Sequence, residues 1–322
     1  MTYARIEGTG HSVPKVQVSN TELAQYVDTT DEWIKSRTGI GNRYISTGET
    51  ATSLAVEAAQ QALSRANVAP EEIDVIIVAS ISPEYVMPST ACLVQGEIGA
   101  VNATCFDLTA ACSGFLYAMK VATQGIRCGD YKKALVIGSE VLSKALDWNH
   151  RDTCVLFGDG AGAAVLTDSH EPGVISSYTG SDGTGADLLS LRGLPSQNML
   201  HEKEPENPYI QMEGRAVYSF AIKIIPKCIE TVLKDTDYSV QDIAYFVLHQ
   251  ANERIIDSVA KKMKISNEKF YKNMDTYGNT SAASIPIALS ELDQSGKLKK
   301  GNLVMLVGFG GGLTWGSTLI KW

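Results

Sequence analysis

Residues 106–115 read Phe106-Asp107-Leu108-Thr109-Ala110-Ala111-Cys112-Ser113-Gly114-Phe115. An apolar run stops in this segment, small residues follow, and apolar residues then recur at helical spacing as far as Ile126. Cys112 is therefore predicted at a strand-to-helix junction, in or beside the first turn of a buried helix. Unpaired N–H groups and the helix dipole favour a thiolate at such a position, which makes Cys112 a candidate nucleophile. A packed structural cysteine is the alternative.

The composition is that of a globular, soluble protein. The 322 residues are 44% hydrophobic and 20% charged, which suits one large domain or two of ordinary size. The net charge of -8 argues against general nucleic-acid binding, and no apolar run is long enough to span a membrane. The N-terminal residues lack a signal-peptide pattern, so a cytoplasmic location is expected. The six cysteines include no Cys-x-x-Cys pair, which predicts reduced thiols rather than a zinc site or a dithiol redox motif.

Helical and strand patterns alternate along the chain, as in an α/β protein. Near-continuous apolar runs at Ile73–Ala79 and Leu135–Gly138 are typical of strands buried on both faces. A helix is predicted from about Arg215 to Leu233, with a kink or a break at Pro226. The irregular segment from Gly180 to Pro208 is interpreted as a long surface excursion.

The second part of the chain repeats the pattern of the first at a shift of 170 residues. Three matching pairs are Ile73 and Ile243, Gly138 and Gly308, and Cys112 and Ala282. Each part has a helix, a strand, a loop, a helix that starts with small residues, and a further strand. We therefore predict two α/β halves, residues 1–172 and 173–322, related by a pseudo-twofold axis that brings corresponding loops together.

His249 and Asn279 are the candidate partners of Cys112. His249 follows the apolar strand pattern that ends at Leu248, and ligands gather beyond the carboxyl ends of strands in open α/β sheets. Asn279 lies in the loop that the repeat sets opposite Cys112. A capping or structural role is the alternative for each residue. If they converge, the thiol, imidazole and amide suit acyl transfer, because the last two groups can polarise an oxygen.

A glycine-rich loop precedes the C-terminal strand. Four of the five residues 308–312 are glycines, so the backbone can approach a ligand closely and point N–H groups at it. The simpler interpretation is a tight turn. The functional interpretation is an oxyanion hole, with one donor from this loop and the other from the N–H group of Cys112.

Trp33 and Arg37 are four residues apart on a predicted helix and therefore share a face. An amphipathic contact and a solvated charge would explain them without any ligand. Alternatively, the ring and the guanidinium group hold an aromatic, phosphorylated molecule.

Taken together, these motifs resemble those of the β-ketoacyl-acyl-carrier-protein synthase III family, within the thiolase superfamily, over essentially the whole chain. The most specific blocks are Trp33 with Ser36–Ile40, Asp107–Phe115, Phe157–Gly162, His249–Asn252, Gly278–Ser284 and Phe309–Gly316. The resemblance implies a five-layered αβαβα, thiolase-like fold and a homodimer. It also implies a decarboxylating condensation of an acyl-CoA primer with malonyl-acyl-carrier protein, without a metal or other cofactor. The expected partners are coenzyme A thioesters and the acyl carrier protein.

The same resemblance assigns roles to individual residues. Cys112 matches the acyl-accepting nucleophile, and His249 and Asn279 match the pair that stabilises the enolate formed from the malonyl thioester. The N–H groups of Cys112 and Gly311 match the oxyanion hole. The residues that match positions holding coenzyme A are Trp33, Arg37, Arg151 and Asn252.

Two further expectations concern substrate choice. The residues expected to line the acyl pocket are Met87, Leu142, Phe157 and Phe309. Met87 stands where many relatives have Phe, which leaves the primer preference open. On the helix after His249, the basic residues Arg254, Lys261 and Lys262 form a candidate dock for an acidic carrier protein, or simply a solvated helix face.

Two other functions remain compatible with these motifs. One is a related acyltransferase that starts a secondary metabolite and differs in its use of a carrier. The other is a catalytically silent partner subunit, against which the intact set of Cys112, His249 and Asn279 argues.

Overall fold

The framework is formed by two main β-sheets and the helices that cover them, in a computed structural model that describes residues 2–194, 200 and 207–322. The strands are β1 (Tyr3–Ser12), β2 (Val16–Ser19), β3 (Asn42–Ile45), β4 (Val75–Ala79), β5 (Thr104–Leu108), β6 (Lys133–Glu140), β7 (Gly160–Ser169), β8 (Val174–Ser181), β9 (Leu189–Ser190), β10 (Gln211–Met212), β11 (Ile243–Leu248), β12 (Leu303–Gly310) and β13 (Thr314–Lys321). The helices are α1 (Asn20–Leu23), α2 (Asp31–Thr38), α3 (Ala51–Ala66), α4 (Thr90–Ile98), α5 (Gly114–Cys128), α6 (Arg151–Cys154), α7 (Gly214–Leu233), α8 (Glu253–Met263), α9 (Met274–Tyr277) and α10 (Ser284–Gln294).

The first main sheet has the strand order β1-β7-β6-β4-β5. β4 runs parallel to both of its neighbours, whereas β7 runs antiparallel to β1 and β6. All five residues of β4 are buried, as the continuous apolar run predicts for a strand covered on both faces. β5 lies at the edge of this sheet, and the chain leaves it toward Cys112.

The second main sheet has the order β11-β12-β13-β8. β11 and β12 are parallel, and β13 runs antiparallel to β12 and β8. β11 ends at Leu248, immediately before His249, so its carboxyl end points to the same region as the end of β5. Parallel strands with helical crossovers place loops at this edge of a sheet, where ligands bind.

Helices fill three layers around the two sheets. α3 and α4 cover the outer face of the first sheet, α5 and α10 pack between the sheets, and α7 and α8 cover the outer face of the second. Three apolar clusters occupy the spaces between these layers, and the central one joins both sheets through residues such as Phe115 and Ile285. The layers are thus αβαβα, and the expected thiolase-like fold is confirmed.

The internal repeat is visible in the element boundaries. β6 and β12 begin 170 residues apart, as do α5 and α10. The short 3-10 turns that precede these two helices, Ala111–Ser113 and Ser281–Ala283, pack against each other, and Ala111 and Ser281 have nearly the same positive φ (46° and 48°). Each main sheet takes its strands from one side of residue 172, while the domain boundary at that residue stays a prediction.

The middle of the chain comprises the segment after β8 and the long helix α7. α7 continues from Gly214 to Leu233 through Pro226, so the helix does not break there, and the alternative of a kink stays a prediction. Pro226 is buried in the face that packs on the second sheet, and this packing holds the helix together although the proline lacks an N–H group.

The predicted excursion from Gly180 to Pro208 contains a 3-10 segment at Gly183–Leu188 and β9, and residues 195–199 and 201–206 of it lie outside the described residues. Among the described helices, none has the length and apolar composition that a membrane span requires.

Candidate active site

Cys112 lies in the 3-10 turn between β5 and α5, at the strand-to-helix junction predicted from the sequence. The side chain is buried, with 5% of its surface exposed. Gly310 packs directly on it, because a Cβ atom added at Gly310 would lie 2.7 Å from the backbone nitrogen of Cys112. The glycine-rich loop is therefore needed for close packing at the nucleophile.

Burial sets the protonation state of this cysteine. Desolvation and, to a smaller extent, the nearby Glu140 carboxyl raise the pKa of the Cys112 thiol to about 12, against the lowering effect of the Ser281 hydroxyl. The sequence favoured a thiolate at this helix start, and that expectation is wrong for the free protein. The cost of burying a charged sulfur exceeds the stabilisation that one helix terminus provides, so the resting form is the thiol.

His249 is fixed at the end of β11 by a backbone hydrogen bond and by two contacts of its ring. Its backbone N–H donates to Val307 O at 2.8 Å, and its Nδ1 lies 2.7 Å from the Oγ of Ser284. The ring of Phe309 meets the imidazole edge-on, with 5.2 Å between the ring centroids. Burial lowers the pKa of His249 to about 3, so the imidazole is neutral near physiological pH.

Asn279 is held by its backbone and by one side-chain oxygen. Its N–H donates to Leu156 O at 2.9 Å, and its carbonyl accepts the N–H of Gly158 at 3.0 Å. Its Oδ1 accepts the backbone N–H of Ser281 at 2.9 Å. Since that bond orients the amide, the Nδ2 group is left to donate to a ligand.

The three candidate residues line one cavity of about 1210 Å³. Cys112, His249 and Asn279 surround its inner end together with Phe157 and Phe309. The cavity brings together residues 112, 249 and 279, which are far apart in sequence, as the repeat predicts. A thiol, a neutral imidazole and an oriented amide can there act on a single substrate.

A second cavity, of about 430 Å³, also borders Cys112. Apolar side chains of Ile81, Phe157, Leu189 and Ile210 contribute to its wall. Its position next to the sulfur and its apolar lining suit the acyl chain of a thioester.

The four residues predicted for the acyl pocket have different positions. Phe157 lines both cavities, and Phe309 lines the larger one beside His249. Leu142 lines neither cavity, because its side chain is fully enclosed in an apolar cluster behind the site. Met87 is 85% exposed on the surface and also lines neither cavity, so within one chain the prediction for these two residues is wrong.

Gly311 borders the smaller cavity next to Cys112. Its carbonyl accepts the Oγ1–H of Thr314 at 2.9 Å, and the same hydroxyl lies 2.9 Å from Ala110 O. The loop and the nucleophile turn are thus tied together. The predicted oxyanion hole from the N–H groups of Cys112 and Gly311 is compatible with this arrangement and stays a prediction.

The residues predicted to hold coenzyme A line the wall of the larger cavity. They are Trp33, Arg37, Arg151 and Asn252. The guanidinium carbon of Arg151 lies 4.9 Å from the centroid of the Trp33 ring, and that of Arg37 lies 6.0 Å away. Asn252 caps α8 through its Oδ1 and donates from Nδ2 to Arg37 O at 3.0 Å. One indole ring therefore has two guanidinium groups close to it, a suitable site for a flat, phosphorylated ligand.

The basic residues of α8 extend from this cavity along the surface. Arg254 is exposed and borders the cavity, two residues after Asn252. Lys261 and Lys262 are exposed in the last turn of α8, and Lys262 donates to Ile222 O of α7 at 3.2 Å.

Several residues at the site were not predicted from the sequence. Ser284 contacts His249, and Tyr218 lines the cavity with its hydroxyl 2.8 Å from Ser258 Oγ. Glu140 is fully buried at the end of β6, near Cys112. Ser284 lies in the recognised block Gly278–Ser284, whereas Glu140 is an isolated carboxylate after an apolar run and carries no motif.

Comparison with known proteins agrees with this geometry. Residues 106–183 match the family model described as 3-oxoacyl-[acyl-carrier-protein] synthase III, and residues 233–322 match the model of its C-terminal part. The chain is 52% identical to the β-ketoacyl-[acyl-carrier-protein] synthase III of Clostridium tetani, over 99% of this chain and 98% of the relative. It is also 52% identical to the same enzyme of Clostridium novyi, over the full length of both chains.

A solved structure shows the same fold. The crystal structure of 3-oxoacyl-[acyl-carrier-protein] synthase III from Aquifex aeolicus superposes with a TM-score of 0.93 at 43% identity, covering 99% of this chain and all of the other. Sequence relatives and structure thus identify the same group of acyltransferases. The chain belongs to the β-ketoacyl-[acyl-carrier-protein] synthase III family.

Proposed function

We propose that this protein condenses an acyl-CoA primer with malonyl-acyl-carrier protein, releases coenzyme A and carbon dioxide, and so starts fatty-acid elongation. The observation that carries the proposal is the single cavity around which Cys112, His249 and Asn279 meet. Family membership supports the reaction class, and the geometry supports the role of each residue.

The first half-reaction loads the primer. The acyl-CoA lies in the larger cavity with its thioester at the sulfur of Cys112, and the acyl chain enters the smaller apolar cavity. Cys112 attacks the carbonyl carbon and coenzyme A leaves. The N–H groups of Cys112 and Gly311 are the donors for the oxygen that becomes negative, and one such donor contributes about 3 kcal/mol.

The second half-reaction activates the malonyl group. Loss of carbon dioxide leaves negative charge on the thioester oxygen of the malonyl carrier, where His249 and Asn279 donate hydrogen bonds. A neutral imidazole donates without the cost of a buried cation, which agrees with the low pKa that burial gives His249.

Condensation then completes the cycle. The carbanion equivalent attacks the acyl group on Cys112 and expels the sulfur. The buried position of all three residues limits access of water, which would otherwise protonate the carbanion or hydrolyse the acyl-cysteine. The two thioesters supply all reacting groups, so the proposed reaction needs no metal or other cofactor.

The entrance of the larger cavity provides the binding site for coenzyme A. The adenine base fits near the Trp33 ring and the guanidinium groups of Arg37 and Arg151. Those cations and Asn252 lie where phosphate and pantetheine groups would pass. The acidic carrier protein would dock beside it, on the basic surface formed by Arg254, Lys261 and Lys262, while its pantetheine arm reaches the same cavity.

A homodimer is part of the proposal. β5 ends the first main sheet as an edge strand, and edge strands of this kind pair readily with a second copy. The nearby segment Tyr85–Met87 is apolar and exposed, with Val86 at 79% and Met87 at 85%. In a dimer that covers this segment, Met87 would contact the partner subunit. It would then shape the acyl pocket of the partner rather than that of its own chain.

Acyl labelling tests the proposal. The protein is mixed with radiolabelled acetyl-CoA, butyryl-CoA and isobutyryl-CoA, and the labelled peptide is identified by mass spectrometry. We expect the label on Cys112 and none in Cys112→Ser. The control Cys92→Ser removes an exposed cysteine and should label normally. A label on another residue, or no transfer, would contradict the function.

The malonyl donor is tested in the same assay. Labelled protein is supplied with malonyl-acyl-carrier protein or with malonyl-CoA, and 3-oxoacyl product is measured. Clear preference for the carrier form supports fatty-acid initiation. Preference for malonyl-CoA would favour the related acyltransferases that start secondary metabolites.

A further inference from the structure

Glu140 is a buried carboxyl group that the mechanism above does not use. Its side chain is fully buried at the end of β6. One oxygen, Oε2, accepts from Ser82 Oγ at 2.5 Å, from Ile81 N at 3.1 Å and from Ser80 Oγ at 3.3 Å. The other oxygen, Oε1, has no hydrogen bond of ordinary geometry within the described residues. Burial of a carboxyl group with half of its accepting capacity unused is costly.

Ser281 is a second underused polar group, in a turn that contacts the elements carrying Glu140 and Cys112. Its turn, Ser281–Ala283, packs against both the Cys112 turn and β6. The Ser281 hydroxyl lowers the pKa of Glu140 and also the pKa of Cys112, so it lies close to both groups. It is buried, it borders the smaller cavity, and its Oγ makes no hydrogen bond of ordinary geometry with the part of the chain that the structure describes.

The order of the three groups suggests a route for a proton. A thiol, a hydroxyl and a carboxyl oxygen follow one another from the cavity into the core, and the last two have capacity left to accept or donate. Small rotations of the Ser281 side chain would close hydrogen bonds to Cys112 on one side and to Oε1 of Glu140 on the other. Serine hydroxyls suit this position because they donate and accept at once.

A proton acceptor is needed at this site because Cys112 rests as a thiol. His249 is a poor acceptor, since burial lowers its pKa to about 3. Burial instead raises the pKa of Glu140 to about 7, which lies near physiological pH, where a general base is most effective. Glu140 therefore accepts the proton of a thiol much more readily than His249 does.

We propose that Glu140, acting through the Ser281 hydroxyl, accepts the proton of Cys112 during primer loading and returns it to the sulfur after condensation. The inference rests on the proposed function, in which Cys112 carries the acyl group.

Protons and electrons balance over one catalytic cycle. Cys112 S–H gives its proton to Ser281 Oγ while Ser281 gives its own proton to Glu140, and the sulfur forms a bond to the acyl carbon. The bond from that carbon to the coenzyme A sulfur breaks, and coenzyme A leaves as a thiolate that takes a proton from solvent. Condensation later expels Cys112 as a thiolate, which regains the proton from Glu140 through Ser281. The net reaction consumes one proton from solvent per turnover.

The groups that act on the Glu140 carboxyl come from several elements. They are the hydroxyls of Ser80, Ser82 and Ser281, the N–H groups of Ile81 and Ala282, and the thiol of Cys112. Of these, Cys112 is the group that titrates with it.

Two variants separate the relay from a structural role. Glu140→Gln removes the base and keeps the size of the side chain. Ser281→Ala removes the connecting hydroxyl and leaves the contacts of Glu140 with Ser80, Ile81 and Ser82 intact. The positive φ of Ser281 should tolerate alanine, because Ala111 has the same conformation in the equivalent turn. Ser139→Ala is the matched control, since its buried hydroxyl on the same strand donates to Ala51 O instead.

The readouts are the pH profile of acyl loading, the rate of Cys112 alkylation by iodoacetamide, and single-turnover condensation from enzyme that has been fully acylated beforehand. In the wild type, loading should rise with pH as the Glu140 carboxyl ionises and level off above that pKa. In Glu140→Gln and Ser281→Ala, we expect loading and alkylation at pH 7.5 to fall at least tenfold and to rise steadily with pH without levelling off. Condensation from the acylated enzyme should change less than threefold, because that step expels the sulfur and needs no base.

Three results would overturn the inference: an unchanged pH profile in both variants, equal losses in loading and condensation, or faster alkylation in Glu140→Gln. The last would mean that the carboxylate merely repels a negative sulfur. If Glu140→Gln does not fold, Ser281→Ala alone decides, with Ser139→Ala as its reference. Failure of the wild type to take label on Cys112 would instead contradict the proposed function.

Discussion

The Nδ1 atom of His249 lies 2.7 Å from the Oγ atom of Ser284. The backbone N–H of Gln250 approaches the same oxygen at 3.5 Å, and we infer that the hydroxyl hydrogen of Ser284 is donated to Nδ1 of the imidazole. A neutral imidazole carries one N–H group, and a ring whose Nδ1 accepts must carry it on Nε2. Ser284 thereby selects the tautomer that can donate a hydrogen bond toward the cavity.

Ser284→Ala should weaken malonyl activation and leave loading intact. Without the serine, the imidazole loses its fixed tautomer, and we expect decarboxylation of malonyl-acyl-carrier protein to fall roughly tenfold, about 1.4 kcal/mol in activation free energy. Carbon dioxide release from the labelled malonyl group measures this step, and acyl transfer to Cys112 measures loading. Ser290→Ala on the same helix is the control, because that hydroxyl contacts His11. Equal slowing of both steps would show that Ser284 only supports the fold.

Much of this site could be predicted from the sequence because its residues lie in short motifs whose composition indicates their local structure. The break from an apolar run to small residues located Cys112 at a helix start, and the shift of 170 residues set the loop that carries Asn279 opposite it. Both follow from backbone geometry that is encoded within a few residues. The turns at Ala111 and Ser281 pack against each other and have nearly the same positive φ, so the same local motif forms the same structure in both halves.

The remaining features depend on burial, which no local pattern specifies. The helix start at Cys112 suggested a thiolate, but the desolvation that raises its pKa comes from elements distant in sequence. Glu140 is buried because the turn at Ser281 covers the end of β6. Leu142 and Met87 carry suitable side chains, yet their positions behind the site and on the surface follow from tertiary packing.

Trp33→Ala should weaken binding of coenzyme A thioesters selectively. The indole is held near two guanidinium groups, and loss of stacking and cation–π contacts costs about 1–2 kcal/mol. We expect KM for acyl-CoA to rise about tenfold with kcat of loading nearly unchanged. Single-turnover condensation from already acylated enzyme is the internal control. A fall in kcat without a change in KM would contradict a binding role.

Gly310→Ala should strongly reduce activity, because the new Cβ atom would lie 2.7 Å from the nitrogen of Cys112. Either the glycine loop or the nucleophile turn has to move, and displacement of a reacting group by about 1 Å costs on the order of 100-fold in rate. Gly96→Ala is the matched control, since a Cβ atom there meets no atom within 4 Å and Gly96 lies inside α4. That control should gain about 0.5–1 kcal/mol in stability, measured by thermal unfolding. Full loading activity in Gly310→Ala would show that the contact is not restrictive.

Reversal of Arg254 and Lys261 to Glu should weaken use of the carrier protein and spare primer loading. Both side chains are exposed on α8, and Arg254 borders the cavity. Reversal of two charges from +1 to -1 changes the charge that an acidic partner meets by four units. We expect KM for malonyl-acyl-carrier protein to rise at least tenfold at low salt, and the difference to shrink as salt screens the charges. The pair Lys297→Glu and Lys299→Glu is the control, because those residues precede β12, at the opposite end of the second sheet from His249. Equal loss of both half-reactions would remove the docking role.

Met87→Phe should narrow the range of primers if Met87 completes the acyl pocket of a partner subunit. The side chain is 85% exposed in the single chain, so in a monomer its replacement would not change the shape of the acyl pocket. In a dimer, a rigid ring replaces a flexible thioether at the pocket wall, and one methylene of substrate length in an apolar pocket is worth about 1–3 kcal/mol.

The measurement is kcat/KM for acetyl-, butyryl- and isobutyryl-CoA, with the dimer verified by sedimentation equilibrium. We expect the two larger primers to lose at least tenfold relative to acetyl-CoA in Met87→Phe. Val101→Phe, another exposed apolar position in the loop before β5, serves as a control for added surface bulk. An unchanged order of primers in a variant that still dimerises would exclude Met87 from the pocket, because a wall residue cannot gain a ring without altering the space that the acyl chain occupies.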